Sequence, residues 1–204
     1  MTKREPITAA ELMAQLSSDP DWVAKREREE KERNAREAEH RAAERPLVEE
    51  LRAAGYKVDS AWDFVNTKDA YPKALPILLN HLGRAYPAPV REGIARAMAV
   101  PQSRFAWHDL LRHYRNEKSD RVKDGLAVAI AAAAHSGVLD ELIALAKDQK
   151  HGTSRLLLLR ALARFTDSKA RAALMELGAD PDLSEEAQVI LKKLEREGRR
   201  PSNK

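Results

Sequence analysis

The sequence predicts an all-α protein, an α-solenoid of about four to five antiparallel helix pairs with a 32-residue period, together with a long charged N-terminal helix. Pairs of apolar residues recur at this interval. A second series of mostly basic residues recurs with the same period, and an aliphatic residue follows each of them three positions later. Two interleaved series on one period indicate two helices per unit, and the units must stack because none can bury its apolar face alone. The aliphatic pairs are Leu78-Leu79, Leu110-Leu111, Leu142-Ile143 and Leu174-Met175, and the second series is Arg91, Lys123, Arg155 and Gln188. No segment alternates in the way a β-strand requires.

Residues 1–45 are predicted to form a charged helical N-terminal arm. Thr8 and Glu11 have capping-box spacing for a short helix over 9–16, and Asp19-Pro20 predict the start of a second helix. From 25 to 45, 15 of 21 residues are charged, so we expect side-chain pairs rather than a core to stabilise this helix. The favourable i,i+4 pairs are Glu27–Lys31, Glu29–Arg33, Glu32–Arg36 and Glu37–Arg41. A partner-binding coil or a disordered segment are the alternatives.

The globular body is predicted to span 46–198, followed by a disordered basic tail at 199–204. Pro46 is expected to interrupt or lightly kink the charged helix, and Gly55 to end the apolar helix that follows it. An irregular cap around Trp62 then precedes the regular units. The predicted helix pairs are 72–82 with 89–99, 105–114 with 120–134, 138–147 with 153–165, and 168–178 with 183–197.

Composition excludes several classes of protein. A net charge of +4 and a pI near 9.3 are a mild basic excess, which is compatible with an acidic partner but does not establish nucleic-acid binding. The absence of cysteine excludes a disulfide framework and thiolate metal sites. No apolar run approaches the ~20 residues of a membrane span, and the N-terminus lacks a signal-peptide pattern, so a cytoplasmic protein is expected.

Val90-Arg91 and Val122-Lys123 open the second helices of two successive units, and in this respect the chain resembles the HEAT-repeat family over about 71–198. In that family an Asp in the turn often precedes the basic residue; Asp120 fits, whereas 87–89 and 152–154 depart from the pattern. The resemblance implies a scaffold or partner-binding protein, including examples from bacteria. It also implies that Arg91, Lys123 and Arg155 hydrogen-bond to turn carboxylates of neighbouring units.

No catalytic or metal-binding constellation emerges, so neither an enzyme nor a cofactor is expected. His81 and His113 occupy equivalent repeat positions but lack a third metal ligand. Gly93 and Gly125 are interpreted as sites of close helix packing. The stripe of Trp107, Leu110, Leu111 and Tyr114 favours a core over a stacking platform for bases. HEAT-like DNA glycosylases bear aromatic and acidic residues on a concave surface, but Trp62-Asp63 and Trp107 with Asp109 do not match that pattern.

The second helices would line the concave face of such an array, and base predominates there toward the C-terminal units. A solvated face, an acidic protein partner and a phosphate backbone all explain this charge. We predict a non-enzymatic protein–protein interaction module, in one version an immunity or inhibitor protein of a bacterial cell, with nucleic-acid binding as the alternative and an enzyme third. No membrane partner is expected, and the oligomeric state is left open. The predicted partner-binding residues are Arg91, Arg96, Lys123, Arg155, Arg160, Arg164, Lys192 and Lys193.

Overall fold

The computed structural model describes residues 7–198, and within that range the protein is all-α. Ten α-helices and four short 3₁₀ segments account for the regular structure of the described residues, with no β-strand among them. The predicted tail at 199–204 lies outside the described residues. The helices are α1 (Ala9–Ser17), α2 (Pro20–Ala53), α3 (Ala74–Leu82), α4 (Ala88–Ala97), α5 (Trp107–Asn116), α6 (Asp120–Ala133), α7 (Leu139–Lys147), α8 (Leu156–Leu162), α9 (Ser168–Leu177) and α10 (Ser184–Gly198).

The chain divides into two compact units, residues 1–43 and residues 44–204. The first unit begins with the predicted capping box: the Thr8 amide donates to Glu11 Oε2 at 2.9 Å, and the Glu11 amide donates to Thr8 Oγ1 at 3.3 Å. Asp19 Oδ1 accepts from the Asp21 amide at 3.0 Å, which caps the start of α2 as predicted. No residue of α1 is buried.

Charge pairs line the exposed first part of α2, although their partners differ in part from the predicted ones. Glu32 pairs with Arg36 at 3.8 Å, as expected. Glu29 pairs with Lys25 rather than with Arg33, which turns instead to Glu30. Because exposed ion pairs contribute only tenths of a kcal/mol, side chains exchange partners at little cost.

Pro46 lies inside α2 and does not interrupt it, contrary to expectation. Leu47, Val48 and Leu51 are buried, and Glu44 before the proline is buried with them. These positions keep helical spacing across Pro46, so packing on one face stabilises the helix on both sides of the missing N–H.

All eight helices of the four predicted pairs are present in the second unit. The leucines that open the aliphatic pairs are fully or almost fully buried, namely Leu78, Leu110, Leu142 and Leu174. Among the second helices, α4 packs on α6, α6 on α8, and α8 on α10. One residue of the aliphatic series departs from the pattern, because Met175 is 63% exposed.

Glycine permits two close contacts of α4, one with Trp62 and one with α6, as predicted. A Cβ on Gly93 would lie 2.6 Å from Trp62 Nε1, and a Cβ on Gly125 would lie 3.1 Å from the Ala95 Cβ and 3.2 Å from the Glu92 carbonyl oxygen. Both glycines are buried. At both positions the helix-propensity cost of glycine accompanies a close approach that a side chain would push apart, more strongly at Gly93 than at Gly125.

Candidate functional site

The basic residues proposed for partner binding are distributed among three environments in the second unit. Arg91 and Arg155 form ion pairs with turn carboxylates. Lys123 contacts an aromatic ring and Arg96 pairs with a glutamate of its own helix. The remaining four residues lie on or beside α8 and α10. The three environments differ in burial, which decides what each residue can contact.

Arg91 pairs with Glu117, which ends α5 in the turn before α6. The Glu117 side chain is only 5% exposed and also accepts from the Ser119 amide at 2.9 Å. Burial opposes ionisation of Glu117, but the hydrogen bonds from Ser119 and Arg91 outweigh it, so its pKa lies below the usual value. This contact is of the kind that the HEAT resemblance implies.

Arg155 forms a corresponding contact two helix pairs further along the chain. Its Nη1 donates to Asp180 Oδ2 at 2.6 Å, and its Nη2 donates to Asp182 Oδ2 at 3.3 Å. Its Nε donates to the Gly152 carbonyl at 2.9 Å, so the guanidinium is held from several sides. The Arg155 side chain is 0% exposed and offers no atom to a partner. The prediction that Arg155 binds a partner is therefore corrected: a neighbouring turn covers and neutralises it.

Lys123 has the same register but a different contact. Its ammonium lies 5.4 Å from the centre of the Tyr114 ring, a cation–π contact. In the described part of the chain it has no carboxylate within ion-pair distance. Lys123 lines a polar pocket between α6 and the 3₁₀ segment Gln149–Arg155.

Arg96 belongs to a small charge cluster that the sequence analysis missed. Its Nε donates to Glu92 Oε1 at 2.8 Å, while the second oxygen of Glu92 accepts from Arg121. The Glu92 side chain is nearly buried, and one carboxylate thus holds two guanidinium groups on α4 and α6. The i,i+4 spacing of Glu92 and Arg96 in the sequence could have predicted the contact between these two residues.

The structure brings Arg160, Arg164 and Lys193 together in one groove between α8 and α10, with a volume of about 600 Å³. Arg160 is 72% exposed, and its Nε donates to Glu186 Oε1 at 2.9 Å. Arg164 donates to the Ala131 carbonyl oxygen. Lys192 is exposed on α10 but does not line the groove. Three basic side chains and one carboxylate therefore share this groove.

Part of the lining of this α8–α10 groove is apolar, a feature that the charge pattern alone did not reveal. Ala163 lies on the α8 side and Val189, Ile190 and Leu194 on α10. Val189 is 62% exposed, whereas Ile190 beside it is buried. Apolar surface next to charged side chains is the combination that protein–protein contact surfaces use.

Other candidates from the sequence have structural roles. Trp107, Leu110, Leu111 and Tyr114 are all buried, which confirms the core interpretation of that stripe. His81 is buried between Tyr86 and Glu50, with ring nitrogens 2.7 and 2.8 Å from their oxygens. Within residues 7–198, no group of three or more His, Asp or Glu side chains could hold a metal ion, and none of the helices there is long and apolar enough to cross a bilayer.

Comparisons with family models, with curated proteins and with solved structures give no significant match to this chain.

Proposed function

We propose that this chain is a non-enzymatic interaction protein whose second unit is a HEAT-like α-solenoid that binds an acidic protein partner. The order of contacts α4–α6–α8–α10, together with the turn contacts of Arg91 and Arg155, supports this architecture. The binding face would be the layer of second helices. An immunity or inhibitor role is one form of this function.

The observation that carries the proposal is the α8–α10 groove, whose lining combines apolar residues with basic side chains. An amphipathic helix with acidic residues beside its apolar face has the complementary chemistry: aliphatic side chains bury against Val189 and Leu194, and carboxylates pair with the basic side chains of the groove. The partner segment is thus expected to carry apolar residues at i, i+3 and i+4 with Asp or Glu beside them.

The structure favours a protein over the nucleic-acid alternative. Arg91 and Arg155 are already neutralised by carboxylates, which removes two members from the predicted set of partner-binding basic residues. Among the residues that line the groove, none is aromatic, so it lacks the stacking surfaces typical of single-strand binding.

A site-specific photo-crosslinker tests the proposal in cells of the source organism. Position 189 lies in the groove, and position 175 is a matched control because Val189 and Met175 are 62% and 63% exposed. We expect position 189 to crosslink one protein, through a segment rich in Asp, Glu and aliphatic residues, that position 175 does not capture. The crosslink should disappear in Arg160→Glu/Arg164→Glu. Crosslinking to nucleic acid, or equal capture from both positions, would contradict the proposal.

A further inference from the structure

Of the three basic residues in equivalent repeat positions, Lys123 does not contact the corresponding turn carboxylate. Glu117, Asp148 and Asp180 each end the first helix of a pair or follow it closely, and they lie 31 and 32 residues apart. Their register partners are Arg91, Lys123 and Arg155. The outer two partners form ion pairs with these carboxylates, whereas Lys123 and Asp148 do not.

Asp148 is engaged elsewhere, which explains the missing contact. Its Oδ1 accepts from the Lys150 amide at 3.2 Å and its main-chain carbonyl accepts from the His151 amide at 3.1 Å, while its Oδ2 lies 3.7 Å from His151 Nε2, beyond hydrogen-bond distance. Gly152 adopts φ +57° in the same turn, a conformation that favours glycine. The turn is therefore held by its own backbone contacts and does not bring a carboxylate to Lys123.

A pocket of about 230 Å³ occupies this position. At roughly 30 Å³ for each water, it could hold several waters or one carboxylate group with its substituent. Two lysines face it, Lys123 from α6 and Lys150 from the turn. The Lys123 pocket is lined by Asp120, Lys123, Asp124, Lys150, His151, Gly152, Thr153 and Ser154.

His151 provides an independent indication of a ligand. The residue is 94% buried, and its Nδ1 has no hydrogen-bond partner although the atom is shielded from solvent. Burial first, and then the charge of Lys123, lower the pKa of His151 below its usual value, which favours the neutral ring. A buried nitrogen without a partner is destabilising, and in the Nδ1–H tautomer this nitrogen needs an oxygen acceptor that no atom of residues 7–198 supplies.

We propose that the Lys123 pocket binds a carboxylate, which takes the place that Glu117 and Asp180 fill beside Arg91 and Arg155. The carboxylate comes either from an acidic side chain of a protein or from a free carboxylic acid. Lys123 and Lys150 pair with the anion, and Asp120 and Asp124 oppose it electrostatically. This site shares no residue with the α8–α10 groove, so its failure would leave the proposed function untouched.

Titration of the ¹⁵N-labelled full-length protein with propionate, which reproduces the end of a Glu side chain, tests this site. Ionic strength is kept constant with sodium chloride, and the amides of Gly152 and Ser154 report binding by nuclear magnetic resonance. We expect saturable shifts that weaken at least tenfold in Lys123→Gln and in Lys150→Gln. Lys118→Gln is the matched control, because Lys118 is exposed and does not line the pocket, and its affinity should stay within twofold.

The sign of one further variant separates an anion site from a cation site. Asp124→Asn removes an opposing charge, so it should tighten propionate binding; weaker binding, or shifts that persist in both lysine variants, would overturn the proposal. Absence of saturable shifts in the folded wild-type protein would overturn it as well. Succinate distinguishes the sources, since affinity at least tenfold above that of propionate indicates a free diacid, whereas similar affinity indicates a single carboxylate like that of an acidic side chain.

Discussion

The buried guanidinium of Arg155 donates to the Asp180 carboxylate at 2.6 Å, and this pair is the register equivalent of Arg91 with Glu117. Arg91 in α4 reaches the turn after α5, and Arg155, directly before α8, reaches the turn after α9. Within the second unit, such charged contacts link consecutive helix pairs in addition to their apolar packing. Their cost on disruption should therefore exceed that of an exposed ion pair, because the buried cation would lose its counter-charge.

Asp180→Asn is expected to destabilise the protein by about 3 kcal/mol, the lower end of the range for breaking a buried pair, because Asp182 remains as a second acceptor. Asp182→Asn is the matched control. Asp182 is largely exposed and lies 3.3 Å from the guanidinium, so its loss should cost less than about 1 kcal/mol. Urea unfolding measures both values, and equal costs would show that Asp180 is not the principal partner.

The contribution of Asp180 should depend on pH. The hydrogen bond from Arg155 lowers the pKa of Asp180 in the folded state. A carboxyl with a depressed folded pKa stabilises the protein above its unfolded value of about 3.9, and this stabilisation is lost as pH falls through the folded pKa. The difference in unfolding free energy between wild type and Asp180→Asn should therefore be constant above about pH 5 and shrink below about pH 4. A difference that grows on acidification would contradict this sign.

Leu110→Ala should cost about 2–5 kcal/mol, because Leu110 is fully buried in the core. Met175→Ala is a control from the same aliphatic series, and it should change stability by no more than about 0.5 kcal/mol since Met175 is largely exposed. Chemical denaturation provides the comparison. A cost below about 1 kcal/mol for Leu110→Ala would mean that the site collapses without leaving a cavity.

Close packing at Gly93 predicts a coupled effect. Gly93→Ala would displace the Trp62 ring, whose Nε1 donates to the Pro89 carbonyl at 3.2 Å. We expect a loss of about 1–3 kcal/mol despite the better helix propensity of alanine. In a Trp62→Ala background the same change should become neutral or stabilising, and a double-mutant cycle measures that coupling. Additive costs would exclude a direct clash.

Most of the helix order was predictable because the 32-residue period places two apolar faces in each unit, and the structure has helices in all eight expected places. The burial of Arg155 was not predicted, although its two carboxylate partners, Asp180 and Asp182, follow it in the sequence by 25 and 27 residues. Periodicity gives the direction of a side chain but not whether a turn closes over it. The same limit applies to Val189, whose exposure depends on what packs beside α10.

Pro46 is a second position where the local sequence pattern alone gave the wrong expectation. The missing N–H of a proline argues for an interruption, but tertiary burial of Leu47 and Leu51 favours a continuous helix. The globular unit consequently begins earlier than expected, at Glu44. That shift determines where the chain can be truncated.

Residues 44–204 should fold cooperatively without residues 1–43, because the core cluster extends from Leu47 to Ile190. A cut after Arg45 should be less stable. The buried Glu44 carboxylate accepts from the Ala61 amide at 2.6 Å and from Ser60 Oγ at 2.9 Å, and its removal leaves a buried amide without an acceptor, at a cost of about 1–3 kcal/mol.

In the full-length chain Glu44→Ala should reproduce this loss, while Glu49→Ala, which removes only an exposed pair with Arg45, should stay within about 0.5 kcal/mol. Circular dichroism during urea unfolding measures all four variants. Equal stability of the two truncations would show that the Glu44 contacts contribute nothing to the fold of the second unit.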